Sequence, residues 1–224
     1  MVNEMFNGLS EDAYRYFWEI GFNNNRTYYL STKDHYRAVV YEPLCRLTDA
    51  LASAVSEIDN RLSTRYTHVI SRIRRDTRFS KDKALYRDHA WLAFRLPGVR
   101  TSECYVLYVE FERESYGYGM GMYAPNPTLM QPMRERILAQ PQRFLSLVSE
   151  PAFSEKFTAQ GEMYARARYK EAPEAVQPFL NRRSLSFCFS SSDLKRTMCP
   201  EITDEILESF ICLKPVYRFL TGLD

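Results

Sequence analysis

A helical repeat of apolar residues is the feature that most constrains the fold of this chain. Seven apolar residues recur at intervals of three or four positions, namely Tyr36, Val40, Leu44, Leu47, Leu51, Val55 and Ile58. This 3.6-residue period predicts a long helix with one buried face. Pro43 interrupts the repeat. The helix is therefore either kinked at this proline or divided in two, with the second helix beginning near Glu42.

Strand patterns follow this helix. Residues 104–111 alternate most clearly, and residues 67–75, 116–123 and 184–190 show further β patterns. Other helices are predicted from Ser10 to Gly21 and over residues 128–139, 142–148 and 204–213, and residues 23–25 are predicted to form a turn. The helices lie before and after the first three strands instead of between them. The predicted fold class is therefore α+β, with a mainly antiparallel meander sheet packed against N-terminal and C-terminal helices.

The length of 224 residues is typical of one domain, so we predict a single domain over residues 1–224. Residues 150–181 have the least readable pattern, and a small C-terminal subdomain around residues 150–224 stays open as an alternative. No run of apolar residues reaches the length of a membrane-spanning helix, and the N-terminus lacks the features of a signal peptide. A cytoplasmic location without membrane association is therefore expected. The sequence does not indicate an oligomeric state.

Cysteines and histidines do not indicate a metal or a cofactor. The five cysteines are widely spaced and never form a C-x-x-C pair, which indicates reduced thiols instead of disulfides or a zinc site. The three histidines, His35, His68 and His89, have no metal-ligand spacing, although His89 is close enough to a basic segment to contribute there. No nucleophile elbow is present. The sequence therefore assigns no catalytic residue, and whether the protein is an enzyme stays open.

Positive charge is concentrated in one part of the chain. The total formal charge is only +2, but residues 61–87 contain nine basic and two acidic residues, a local charge of +7. The rest of the chain therefore carries −5. Such an uneven field can attract an anionic partner. The densest part is residues 72–87, which we call the motif segment.

The motif segment supports two interpretations. In the first, it binds a phosphate- or carboxylate-bearing small molecule, and the candidate site residues are Arg72, Arg75, Asp76, Arg78, Asp82, Lys83 and Tyr86. The basic side chains supply charge, the two aspartates orient them, and Tyr86 helps to close the pocket. Phe79 and Tyr86 are also predicted to anchor a turn of this segment to the core. In the second, the protein is a non-catalytic structural or interaction domain in which the same residues form an ion-pair lattice. This second interpretation predicts strong destabilisation by Asp76→Ala.

A nucleic-acid surface is the least favoured interpretation of the charge. The near-neutral total charge and the isoelectric point of about 8.2 are mild for a nucleic-acid-binding protein. The basic residues also do not form a broad stripe with exposed stacking aromatics. We therefore expect a small anion, if any, as the partner of the motif segment.

The motif segment also carries a resemblance. Its pattern R-x-x-R-D-x-R-F-S-x-D-K-x-x-Y, from Arg72 to Tyr86, resembles the signature of the bacterial family catalogued as domain of unknown function 2461. The resemblance covers nearly the whole chain and includes Asn23-Asn24, the helix with Tyr36 and Pro43, and the stretch Met133-Arg134-x-x-Ile137. It implies a shared fold and a shared segment, but no reaction.

A row of glycines is the second unusual feature. In a strand over residues 116–123, Gly117, Gly119 and Gly121 share one face. Three positions without side chains leave a flat strip of backbone, so something must approach it closely. We expect a crossing helix, and a ligand on the strip is the alternative.

Overall fold

The computed structural model describes residues 5–78 and 80–223. The α-helices in this part of the chain are α1 (Glu11–Phe22), α2 (Arg26–Tyr36), α3 (Glu42–Ile58), α4 (Tyr66–Val69), α5 (Pro127–Ala139), α6 (Pro141–Val148), α7 (Pro151–Ser154), α8 (Gln177–Leu180) and α9 (Ile202–Thr221). The strands are β1 (Ala90–Phe94), β2 (Val106–Phe111), β3 (Tyr116–Gly121), β4 (Thr158–Gln160) and β5 (Ser186–Ser191). The predicted α+β class is confirmed.

The five strands form one antiparallel sheet in the order β1-β2-β3-β5-β4. The first three strands are a meander, as predicted. Residues of β2 alternate between a buried face with Leu107, Val109 and Phe111 and a second face with Tyr108 and Glu110. We call this second face, which does not carry the large core side chains, the open face.

Helix α9 covers the buried face of the sheet. It contacts β3, α3, α5 and α6. Phe210 of α9 meets Phe94 of β1 edge to face, with ring centroids 6.1 Å apart. The buried apolar residues form one contiguous cluster that includes both Phe6 and Leu220. The cluster also includes Val176 and Leu180, so the region that was least readable in the sequence contributes to the same core. No helix in residues 5–78 and 80–223 is long and apolar enough to cross a membrane.

The N-terminal helices begin at capping residues. The side chain of Ser10 accepts a hydrogen bond from the amide of Ala13, and the side chain of Asn25 accepts one from the amide of Tyr28. The predicted turn at residues 23–25 therefore also begins α2, a helix that was not predicted.

A π-helical turn joins α2 to α3. This turn covers Arg37–Tyr41, and the amide of Glu42 donates to the carbonyl of Arg37, five residues earlier. Pro43 follows at once and has no amide proton to continue the ladder. Helix α3 is thus assigned from Glu42, as one of the two alternatives predicted, but it continues directly from the π turn.

One predicted strand is wrong, and two strands of the sheet were not predicted. Residues 67–75 do not form a strand, because they begin within the short helix α4 and then make only isolated pairings, Ile70 with Leu92 and Arg74 with Tyr86. The first strand of the meander is instead β1, whose sequence Ala-Trp-Leu-Ala-Phe lacks the polar alternation of a half-exposed strand. Strand β4 was also missed, since three residues are too few to show a period.

The glycine row is approached by a strand, not by a helix. A β-carbon at Gly119 would lie 2.2 Å from the carbonyl oxygen of Phe187 in β5, and one at Gly117 would lie 2.7 Å from that of Phe189. At Gly121 the neighbour is the hydroxyl of Ser186, at 2.1 Å. The glycines therefore permit a close approach of β3 and β5.

Candidate functional site

The motif segment forms an antiparallel arm beside the sheet. The amide of Arg75 donates to the carbonyl of Leu85 at 2.9 Å, and the amide of Arg87 donates to that of Ile73 at 2.8 Å. Between these bonds, residues 76–78 and 80–84 form the tip of the arm. Asp82 stabilises the return by accepting a hydrogen bond from the amide of Ala84 at 2.9 Å.

Tyr86 anchors the arm to the N-terminal helices. Its ring is buried and stacks on Tyr29, with centroids 4.5 Å apart. The side-chain amide of Asn24 accepts a hydrogen bond from the Tyr86 amide and donates one to its carbonyl, both at 2.9 Å. Asn24 thus makes the two backbone hydrogen bonds that a neighbouring β-strand would otherwise make with Tyr86. The predicted anchoring role of Tyr86 agrees with this position, whereas Phe79, for which the same role was predicted, lies outside the described residues.

The charged side chains at the tip pair with each other at the surface. Arg75 pairs with Asp82, and Arg78 pairs with Asp76 at 2.6 Å. The Arg78 guanidinium lowers the pKa of Asp76 to about 2, and Arg75 lowers the pKa of Asp82. The Arg78 and Asp76 side chains are 76% and 59% exposed. The Arg78–Asp76 pair is therefore solvated, whereas the Arg75–Asp82 pair joins a 63% exposed carboxylate to an arginine whose side chain is 25% exposed.

A cavity of about 580 Å³ lies between this arm and the open face of the sheet. Its floor includes Trp91, Ala93, Val106, Tyr108, Glu110 and Ser186. Its rim includes Arg75, Asp76, Asp82, Arg87, Asp88 and His89. The volume is within the range typical of small-molecule sites.

The structure brings only some of the predicted site residues to this cavity. Arg75, Asp76 and Asp82 line it. Arg72 and Arg78 are exposed and do not line it, and the exposed Lys83 donates to the carbonyl of Thr77 at 3.1 Å. The buried ring of Tyr86 belongs to the core. The predicted group therefore divides into a cavity rim, a solvated outer side and an anchor.

Arg87 is the cation that the arm presents to the cavity. Its Nη1 donates to the carbonyls of Arg72 and Arg74, at 2.8 and 3.2 Å, and its guanidinium lies 4.7 Å from the ring centroid of Trp91. Burial lowers the pKa of Arg87. Within residues 5–78 and 80–223, no carboxylate pairs with this guanidinium. Its Nε and Nη2 therefore remain available to a ligand acceptor.

Glu110 is the complementary group on the floor. It is the cross-strand neighbour of Trp91, and its carboxylate accepts no hydrogen bond from any residue in the described part of the chain. Burial raises the pKa of Glu110, the negative charge of Glu112 raises it further, and His89 lowers it. Burial also raises the pKa of the neighbouring Tyr108 hydroxyl. Such a carboxyl group in a cavity is typical of functional sites.

The other acids of the cavity have cationic partners. Asp76 pairs with Arg78 and Asp82 with Arg75. Asp88 lies 3.0 Å from Nδ1 of His89 and 3.4 Å from Nε of Arg113. Among the described residues, Arg87 and Glu110 are therefore the cavity charges without an opposite partner.

The sequence reasoning did not identify Trp91 or Glu110. A signal for Glu110 was present, since the alternation of residues 104–111 places it opposite the apolar face of the clearest strand. Trp91 had no such signal because β1 itself was missed. Arg87 was counted in the basic segment, but only the three-dimensional arm shows that it turns toward the sheet while Arg72 does not.

The exposure of Asp76 changes the result expected for Asp76→Ala. Since no buried arginine loses its partner, we expect the melting temperature to change by less than about 2 °C in differential scanning fluorimetry. Asp59→Ala is the matched control, because it removes a buried carboxylate from Arg61 and Tyr217 and should lower the melting temperature by several degrees. A drop for Asp76→Ala equal to that of the control would restore the interpretation of a structural lattice.

Fold and cavity together define a class: an α+β protein whose antiparallel sheet is covered by helices on one face and carries a charged, aromatic cavity on the other. The family described as conserved hypothetical protein DUF2461 matches residues 12–219. The chain therefore belongs to this family, in agreement with the resemblance seen in the sequence. No curated protein and no solved structure matches the chain.

Proposed function

We propose that this protein binds a small organic molecule with a carboxylate or phosphate group in the cavity on the open face of its sheet. The observation that carries the proposal is the position of Arg87. Two carbonyls and Trp91 fix its guanidinium, and its remaining donors have no partner among residues 5–78 and 80–223. A guanidinium held in this way is preorganised for an anion, because little side-chain entropy is lost on binding. Arg75 and its partner Asp82 form the adjacent rim.

The rest of the cavity favours a ligand with an apolar body. Trp91, Val106, Tyr108 and Met122 provide aromatic and aliphatic contacts. Inorganic phosphate alone would leave these contacts unused.

The five cysteines are all unpaired, which supports the cytoplasmic location expected for such a protein.

Trp91 provides a direct measurement of binding. The chain has two tryptophans, and the Trp18→Phe variant leaves Trp91, in the cavity, as the only one. We expect 3-phenylpropionate and phenyl phosphate to change its fluorescence in a saturable manner. In this background, Arg87→Met should lower the affinity for both ligands by at least about tenfold, because one charge-assisted contact is lost.

Two further variants control for damage to the arm. Arg72→Met removes an exposed arginine from the same arm and should leave both affinities unchanged. Arg75→Met keeps the bonds between Arg87 and the two carbonyls and should weaken binding less than Arg87→Met does. Equal affinities of the wild type and Arg87→Met, or no response of Trp91 to either anion, would contradict the proposal.

The second candidate function is a non-catalytic structural or interaction domain. It is favoured by the internal pairing of Arg75 with Asp82 and of Arg78 with Asp76, which uses part of the positive charge within the segment. It does not account for Arg87, which borders the cavity and has no acidic partner in the described part of the chain. The fluorescence titration separates the two functions, because a purely structural segment gives no saturable response.

A further inference from the structure

We propose that the ligand of this cavity is a small zwitterion: a molecule with an anionic group for Arg87, a protonated amine for Glu110 and a flat apolar group. This inference rests on the proposed function and adds the second charge and the class of ligand. It starts from the charge balance of the cavity, in which one cation and one carboxylate lack partners within the described residues.

The position of Glu110 argues for a ligand contact and against a structural role. A carboxylate on a strand beside Trp91 and Tyr108 loses much of its hydration, which lowers the stability of the fold. A neutral residue at this position would avoid that cost, so a carboxylate without a function is not expected here. A structural carboxylate would also have a donor, as Asp59 has in Arg61 and Tyr217. No described residue donates to Glu110, and a protonated amine of a ligand in the cavity would supply this donor.

The surroundings of Glu110 favour an amine over another anion. The charged and titratable groups that act on it are Glu112, His89, Tyr108 and Cys188. His89 is already engaged by Asp88. An anionic group placed here would be repelled by Glu110 and Glu112, whereas a protonated amine would neutralise Glu110 and donate to it.

The aromatic residues determine the body of the ligand. The guanidinium of Arg87 lies over the Trp91 ring, and His89 stacks on the same ring with centroids 5.4 Å apart. Tyr108 and Glu110 are neighbours on the open face of β2. A ligand that contacts both Arg87 and Glu110 therefore lies beside this aromatic surface, against which its planar apolar group packs.

Three probes of nearly equal size test the inference. L-phenylalanine carries both charges, 3-phenylpropionate lacks the amine, and phenethylamine lacks the carboxylate. In the Trp18→Phe background, we expect phenylalanine to bind at least about tenfold more tightly than either of the others, as a charge-assisted hydrogen bond implies. Glu110→Gln should remove this preference for phenylalanine over 3-phenylpropionate, while Arg87→Met should weaken both carboxylates.

The pH dependence gives a second measurement. A protonated amine binds the ionised form of Glu110, so the affinity for phenylalanine should rise as pH rises through the raised pKa of this carboxyl and then level off. Glu110→Gln should remove this part of the profile. His89, Glu112, Tyr108 and Cys188 are present in both proteins, so the difference between the two profiles isolates Glu110.

Stability without ligand gives a third measurement. Since burial raises the pKa of Glu110 in the folded protein, the ionised carboxylate weakens folding above that pKa, and the cost disappears below the pKa of the unfolded chain. Glu110→Gln should therefore raise the melting temperature at neutral pH, and the gain should vanish in acid. A lower melting temperature at neutral pH would indicate a structural role and overturn the inference.

The outcomes separate the two proposals. If 3-phenylpropionate binds as tightly as phenylalanine and Glu110→Gln changes nothing, the zwitterion inference is overturned and anion binding stands. If only phenethylamine binds, or if none of the three probes binds, the zwitterion inference is overturned. Phenyl phosphate then decides anion binding separately, by its affinity for the wild type and for Arg87→Met.

Discussion

Replacing Arg134 with methionine is expected to lower the melting temperature by about 10 °C and to increase amide exchange throughout residues 161–183. Arg134 is the buried arginine of α5, with 3% of its surface exposed. Its Nε donates to the carbonyl of Leu180 at 3.0 Å, and its Nη2 donates to that of Arg182 at 2.6 Å. The guanidinium also lies 5.4 Å from the ring centroids of Tyr164 and Tyr169.

The size of this effect follows from the acceptors that are left behind. Methionine fills much of the space but donates nothing, so both carbonyls lose a charged donor in a buried place. Each such loss costs about 1–3 kcal/mol. Residues 161–183 contain little regular structure of their own, so Arg134 connects an irregular segment to the helical core.

An exposed arginine in the same segment is the control for Arg134. Arg166→Met removes a positive charge at the surface and should change the melting temperature by less than about 2 °C. Hydrogen exchange with mass spectrometry locates the effect of Arg134→Met. If Arg134→Met and Arg166→Met have the same melting temperature, the hydrogen bonds of Arg134 do not stabilise residues 161–183.

Gly119→Ala is expected to destabilise the protein by about 3 kcal/mol, because β3 and β5 would have to separate. The added β-carbon would lie 2.2 Å from the Phe187 carbonyl oxygen and 3.1 Å from the Cα of Cys188. Both contacts are with backbone, which cannot rotate away as a side chain can. Urea denaturation measures the change as a lower midpoint.

Gly98→Ala is the comparison for this variant. Gly98 has a φ of 74° but has no atom within 4 Å of an added β-carbon in the described structure, so only backbone strain of about 1 kcal/mol is expected. An equal decrease in the free energy of unfolding for the two variants would show that β3 and β5 separate at Gly119 with little energetic cost.

Much of the helical framework could be predicted because its signals are local. The repeat from Tyr36 to Ile58, the cap at Ser10 and the alternation of residues 104–111 each depend on a single element. The wrong strand at residues 67–75 shows the limit of such signals. Its β-branched residues extend the chain, but only two isolated bridges form, and the strand that joins the sheet is β1.

The candidate site was only partly predictable because its residues are brought together by tertiary structure. The charge of the motif segment was evident, but the sequence could not show that Arg78 faces solvent while Arg87 lies over Trp91. The glycine row correctly indicated a close approach. It did not identify the neighbour, because β5 follows β3 by more than sixty residues.

The hydrogen bonds of Asn24 connect two parts of the molecule that could otherwise vary independently. Through its bonds with Tyr86 and with the Ile20 carbonyl, Asn24 joins the junction of α1 and α2 to the arm that borders the cavity. Substitutions at this junction would therefore alter the width of the cavity entrance without changing any residue that lines it. For the proposed function, this means that ligand selectivity can be altered from a helical hairpin remote from the cavity.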